Sequence, residues 1–208
     1  MLKFFVIVLA IIIIAMVIFD RYFIHQRNKL SNELIKEISK GNFNKVYEME
    51  KNPKIVRFIP PFNRKLLSMN TALIENNHKK IITYFDDLAA YNIASNQKKS
   101  VFMPGLQYFV SVGDSKRCKI CIDELKTLNM SEDTKQYLDE INSVIVLKKI
   151  DLLDTLLERA NDPNNFGVFT DEFLIAEIYN TLKNKKLAKE YLQKAQKHMD
   201  EYIQNSAN

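Results

Sequence analysis

Residues 169–195 read FTDEFLIAEIYNTLKNKKLAKEYLQKA, and this stretch decides the fold. Ile175, Ile178, Tyr179 and Leu182 recur at three- and four-residue intervals, which places them along one side of a helix. Lys183, Asn184 and Lys185 interrupt the pattern, and Leu187, Ala188, Tyr191, Leu192 and Ala195 resume it on a second helix. So short a turn implies an antiparallel hairpin, and a hairpin needs neighbours to bury its second face.

The same design recurs upstream. Large or apolar residues at matching points fall at Tyr47, Phe85, Ile122, Leu157 and Leu192, with separations of 38, 37, 35 and 35. Such a period marks an array of stacked helical units. In the first unit Leu34, Ile35 and Ile38 stop at Gly41-Asn42, and Phe43, Val46 and Tyr47 run on to Asn52-Pro53. Pro60-Pro61 forces an extended corner, after which Asn63 is the expected N-cap of a helix carrying Leu66, Leu67, Met69, Leu73 and Ile74. Asn76-Asn77 separates it from Ile81, Ile82, Phe85 and Leu88. The third unit sets Leu106, Phe109 and Val110 before Gly113-Asp114, and Cys118, Cys121, Ile122 and Leu125 after it. The fourth carries Leu138, Ile141, Ile145 and Leu147, then Leu152, Leu153, Leu156 and Leu157, and Asp171 is the expected cap region of the fifth. With Gly 4 and Pro 5 in 208 residues, an all-β design lacks its turn formers.

Phe4 to Phe19 is an unbroken apolar run, with Lys3 before it and Tyr22 and Phe23 just beyond. Its length predicts a single transmembrane helix over residues 1–24, with Lys3 and the two aromatic residues at the two interfaces. No small-residue cleavage site follows it and no Cys stands there for lipidation, so the anchor is expected to stay attached. Arg21, Arg27, Lys29, Lys36 and Lys40 follow the run, against Lys3 alone in front, which places the remaining domain in the cytoplasm of a single-pass cell-membrane protein. Reversed insertion would export it. Residues 20–66 hold eleven Lys/Arg against five Asp/Glu, whereas residues 67–208 hold eighteen against twenty. The cationic excess, with Arg21, Arg27 and Lys29 nearest the anchor, suits an anionic membrane surface. The near-neutral distal part lacks the basic stripe that nucleic-acid binding needs. The predicted organisation is an anchor at 1–24, a basic segment with the first hairpin at 25–62, a helical-repeat domain at 63–203 and a frayed tail at 204–208. The fold class is all-α, an anchor followed by an α-solenoid of about five antiparallel helix hairpins.

Chemistry-bearing patterns are few. Cys118 and Cys121 form a C-x-x-C, but no second pair completes a zinc site, and His25, His78 and His198 are scattered. The pair occupies the slot that Leu153 and Leu156 fill in the next unit, which predicts buried thiols; a redox switch helped by Arg117 and Lys119 is the competing reading. Asp86-Asp87, Asp123-Glu124 and Asp139-Glu140 are adjacent in sequence, so on a helix they diverge and read as solvated faces. No nucleophile elbow, phosphate loop, zinc-protease motif or calcium loop is present. The expectation is a protein without enzymatic activity, cofactor, metal or small-molecule substrate.

The fifth unit, about 169–202, resembles the tetratricopeptide repeat. Ile175, Ala176 and Tyr179, then Ala188, Leu192 and Ala195, match that family's large–small–aromatic and small–large–small positions. The fourth unit keeps Leu157 and Ala160 but has Ile141 and Leu153 at small positions, and earlier units share only size and spacing. The family's leading Trp is absent, Pro104-Gly105 falls inside a first helix, and the period exceeds the family's roughly 34 residues. The resemblance implies that first-helix side chains line a concave face for an extended peptide or a partner helix. Carried over residue by residue, that face comprises Phe173, Glu177 and Asn180, then Leu138, Asn142 and Ile145, then Met103 and Gln107. It mixes apolar contacts with amides able to bond a peptide backbone, and it lacks a basic clamp for a terminal carboxylate. The expected function is a noncatalytic, membrane-anchored scaffold that binds protein partners at the cytoplasmic face. The alternatives are an extracytoplasmic assembly factor or chaperone-like protein and a thiol redox sensor working through Cys118 and Cys121. RNA binding by the repeats is a further reading that the charge balance opposes.

Overall fold

The computed structural model describes residues 2–165 and 167–206, with side chains for 16–165, 167–202 and 204. Every regular element among them is helical. The chain divides into two compact units, residues 1–93 and 94–208.

In the first unit α1 (Leu2–Ser39) leads into α2 (Phe43–Glu50), the short α3 (Pro53–Phe58), α4 (Pro61–Ile74) and α5 (His78–Ala89). Leu34, Val46, Ile55 and Ile59 form a buried cluster, flanked by Leu30, Ile38, Met49 and Leu67. Asn52 caps α3 by accepting from the Lys54 N–H at 2.9 Å. Pro60 holds the N-cap position of α4 and Pro61 its first turn, so Asn63 lies inside the helix and is not its cap. Proline fits there because the first-turn N–H has no intrahelical partner to lose. The Tyr47 hydroxyl of α2 donates to Glu75 at 2.7 Å, and Lys80 of α5 sits 3.7 Å from the centre of the Tyr47 ring.

The second unit comprises α6 (Ser95–Ser111), α7 (Ser115–Lys126), α8 (Glu132–Ile141), α9 (Leu153–Ala160), α10 (Val168–Thr181) and α11 (Lys185–Ser206). A π-helical turn, Asn142–Val146, extends α8. α6 packs on α7 and α10 on both α9 and α11, while the π turn packs against α7 and α10. α6 passes through Pro104 unbroken, with Gly105 buried beside it.

Among the described residues five have positive φ: Gly41, Asn76, Gly113, Lys148 and Lys183, in steps of 35, 37, 35 and 35 residues. Each ends the first helix of a pair. At four of them the following N–H reaches back five residues: Asn42 to Glu37 at 3.0 Å, Asn77 to Ala72 at 2.9 Å, Asp114 to Phe109 at 2.9 Å and Asn184 to Tyr179 at 2.9 Å. This is the Schellman closure, and at three of the four the Asn or Asp after it also caps the second helix, which begins at once, whereas the Asn42 amide donates to Glu37 instead. Asn77, Asp114 and Asn184 accept from the N–H of Lys80, Arg117 and Leu187. The fourth turn departs from the pattern. The π turn adds a residue, so the Lys149 N–H reaches Ser143 at 2.9 Å, and Lys149 has no oxygen to cap with. α9 consequently starts five residues after Lys148, not two.

Burial follows the same register. Leu34, Met69, Leu106, Ile141 and Ala176, each seven residues before the left-handed residue, are all buried. Counted from these turns, Phe85, Ile122, Leu157 and Leu192 are equivalent, but Glu50 and not Tyr47 is their counterpart in the first pair. The separation of 38 read from Tyr47 is therefore a register error.

Several expectations need correction. No helix among the described residues is long and apolar enough to cross a membrane. That overturns the single transmembrane anchor at 1–24, and with it the cell-membrane localisation, the cytoplasmic placement and the membrane as partner. The side chains of residues 1–15 lie outside the described residues. Tyr22 and Phe23, expected at a lipid interface, instead pack on Phe58 of α3, with ring centres 6.1 and 4.9 Å away. α1 runs without a break past Asp20, Arg21, Arg27 and Lys29 to Ser39. The tail is helical through Ser206. Asp171 is no cap either; it lies within α10, 4% exposed, and makes an ion pair with Arg159.

Candidate functional site

The proposed peptide-holding face is built on α6, α8 with its π turn, and α10. On α10 Phe173, Glu177 and Asn180 follow at i, i+4 and i+7, which aligns them on one side. Phe173 and Glu177 are half-buried and Asn180 is exposed. The Asn180 amide donates to Glu177 at 3.1 Å, which orders both polar heads along the strip. On α6 Met103 is half-buried and Gln107 exposed, again four residues apart. No ion pair among the described residues involves any of these five. The second helices differ: α7 carries Lys119–Asp123, and α11 carries Lys194–Glu190 and Lys197–Glu201.

The fourth pair contributes less. Leu138 is 0% exposed and Ile145 is equally sealed, so both belong to the core. Asn142 is half-buried, and its Oδ1 is shielded from solvent without a hydrogen-bond partner. An acceptor sealed in this way cannot reach a ligand unless the π turn shifts. The step of 35 residues that places these residues equals the spacing of the neighbouring turns, but the π turn lies between Leu138 and Lys148.

The strongest polar network was not legible in the sequence. Arg159 of α9 donates two bonds to Glu140 of α8, at 2.7 and 2.9 Å, and pairs with Asp171 of α10. Asn165 donates to Asp171 at 2.8 Å, and Gln136 donates to Glu140 at 2.9 Å. Burial alone would raise the Glu140 carboxyl, but Arg159 and then Gln136 bring it below the ordinary value. The bonds from Glu140 and Asp171 raise Arg159 further, so it stays charged. The network lines a cleft of about 320 Å³ with Asp133, Tyr137 and Thr170. Its one cation is already shared by two carboxylates, so it joins three helices and has no free positive charge for an anionic ligand. The partners lie 12 and 19 residues from Arg159, beyond the reach of any helical-periodicity argument.

Cys118 and Cys121 are both fully buried free thiols. Cys118 lies five residues after Gly113, where Val46, Ile81 and Ala188 are buried after their own turns. Burial pushes the Cys118 thiol up to about 12, and burial pushes Cys121 up as well. A thiol without solvent access and without thiolate at neutral pH is a poor redox sensor. The acidic pairs are dispersed among lysines: Asp87 joins Lys65, Asp123 joins Lys119 and Asp139 joins Lys126. No group of His, Cys, Asp and Glu suited to a metal ion occurs among the described residues. Arg21, Arg27 and Lys29 are exposed on α1.

These residues define an all-helical protein of helix pairs joined at left-handed turns, with charge-poor strips on some first helices. No family model, no curated protein and no solved structure matches the chain.

Proposed function

We propose that the chain is a noncatalytic adaptor that holds a peptide or helical segment of a partner protein along the first-helix strips of residues 94–208. The observation that carries this is the α10 strip Phe173, Glu177 and Asn180, an apolar anchor in line with amide and carboxylate heads, without an ion pair. Such a strip offers both the contact area and the backbone hydrogen bonding that peptide recognition uses. Met103 and Gln107 repeat the apolar–amide order on α6. In this reading the helix pairs work as tetratricopeptide arrays do, which the residues of the fifth unit resemble.

The test is site-specific photocrosslinking from positions 107 and 180, with positions 119 and 194 as controls on the charge-paired second helices. The expected result is discrete partner adducts from the first two sites, lost in a Phe173→Ala/Glu177→Ala variant that keeps its helical circular dichroism. Identical adducts from all four sites, or adducts unchanged in the double variant, would remove this face from consideration.

A further inference from the structure

In the first unit, α1 and α3 enclose a pocket of about 260 Å³ lined by Asp20, Phe23, Ile24, Arg27 and Phe58. Phe23 and Phe58 form its floor, with ring centres 4.9 Å apart. Phe19, with its ring centre 4.7 Å from that of Phe23, extends the apolar lining; it is 58% exposed and Ile24 is 45% exposed. Arg57 lies 5.5 Å from the centre of the Phe58 ring, on the α3 side, and Arg27 lines the α1 side. Neither has an ion-pair partner among the described residues.

We infer that this groove docks an acidic amphipathic helix of a partner protein, with one large apolar side chain in the pocket and carboxylates reaching Arg27 and Arg57. The pocket has the volume of one large side chain, a concavity that suits a protruding Phe or Leu better than a flat surface. Charge selects the rest of the partner. Arg27 and Arg57 outnumber Asp20 at the groove, and both lie in a stretch, residues 20–66, that carries eleven Lys/Arg against five Asp/Glu, so an acidic segment is attracted. Asp20, the only carboxylate in the lining, bars a carboxylate from the pocket floor and directs the partner's acids to the two arginines at its sides.

The test uses the full chain and two labelled helical peptides of identical apolar face, one with Glu and one with Lys on the polar face, followed by fluorescence anisotropy. The Glu peptide should bind at least about tenfold more tightly than the Lys peptide, with affinity falling as salt rises. Arg27→Glu/Arg57→Glu should invert the preference, and Ile24→Glu should abolish binding of both; these three side chains are solvent-facing, so the fold should tolerate the changes. Equal binding of the two peptides, or indifference to charge reversal, would overturn the inference. Two further outcomes would also overturn it. One is binding to phosphatidylserine vesicles with the same arginine dependence when the Glu peptide shows no preference. The other is a concentration-dependent dimer abolished by Ile24→Glu.

Discussion

At the scale of single residues the five left-handed positions set the turns, and their chemistry differs. Gly41 and Gly113 have φ near 70°, and a Cβ at either would meet no atom within 4 Å. Substitution there is therefore a purely conformational change. Gly113→Ala should cost about 1 kcal/mol in a denaturant titration, the left-handed penalty less the entropy gained from a stiffer unfolded chain. Lys148, with φ of 54°, already carries that penalty. Lys148→Gly should raise stability by about 0.5–1 kcal/mol. The cysteines make a different prediction. With Cys118 raised to about 12 from an ordinary 9.0, maleimide labelling of the native protein at neutral pH should lag the denatured chain by about a thousandfold. Comparable rates would show that the thiols are reachable in the folded state.

At the scale of elements the fourth helix pair departs from the turn pattern of the others. It has a π turn, an uncapped second helix and the shielded Oδ1 of Asn142. An unpaired buried acceptor costs about 1–3 kcal/mol, so Asn142→Leu should be neutral or stabilising in thermal melts, where most core substitutions destabilise. Arg159 supplies what the turn lacks by joining α8, α9 and α10. Arg159→Ala leaves Asp171 buried without its counter-charge and should cost about 2–3 kcal/mol, less than a fully enclosed pair because the guanidinium is a third exposed. A loss within a few tenths of a kcal/mol would show that the network is a surface ornament. The sequence revealed the hairpins here and missed the network. Hairpin turns are local events of φ and capping, whereas Arg159, Glu140 and Asp171 meet only after three helices have packed.

At the scale of the whole molecule the division into two units predicts separable responses. Glu37, 8% exposed in the first unit, accepts from the Asn42 amide at 2.8 Å and pairs with Lys45 at 3.2 Å. The Asn42 bond first, and Lys45 next, lower its carboxyl to about 2 from an ordinary 4.5. A carboxyl lowered on folding stabilises above its unfolded value, and that contribution fades as pH falls from about 4.5 towards 2. Glu37→Gln should flatten this acid limb. In hydrogen exchange the change should be confined to residues 2–93, the unit that holds Glu37 and its partners Asn42 and Lys45. Altered protection throughout residues 94–208 would show that the units are coupled.

The sequence by itself determined the helical class, the position of four of the five turns and the burial of Cys118 and Cys121, but not the turn at Lys148. Asn76-Asn77, Gly113-Asp114 and Lys183-Asn184 each state where one helix stops and the next begins, and neighbouring residues settle both. Even there the register slipped once, at Tyr47, because amphipathic periodicity fixes a face but not the turn from which positions are counted. Only the tertiary structure decided which residues of the first helices remain accessible: Leu138 is sealed while Phe173 stays half-open. It alone set Phe23 of the N-terminal helix against Phe58, which hydropathy had assigned to a membrane interface. An apolar side chain has the same transfer free energy wherever it is buried, so composition states that it leaves water and packing decides what it meets.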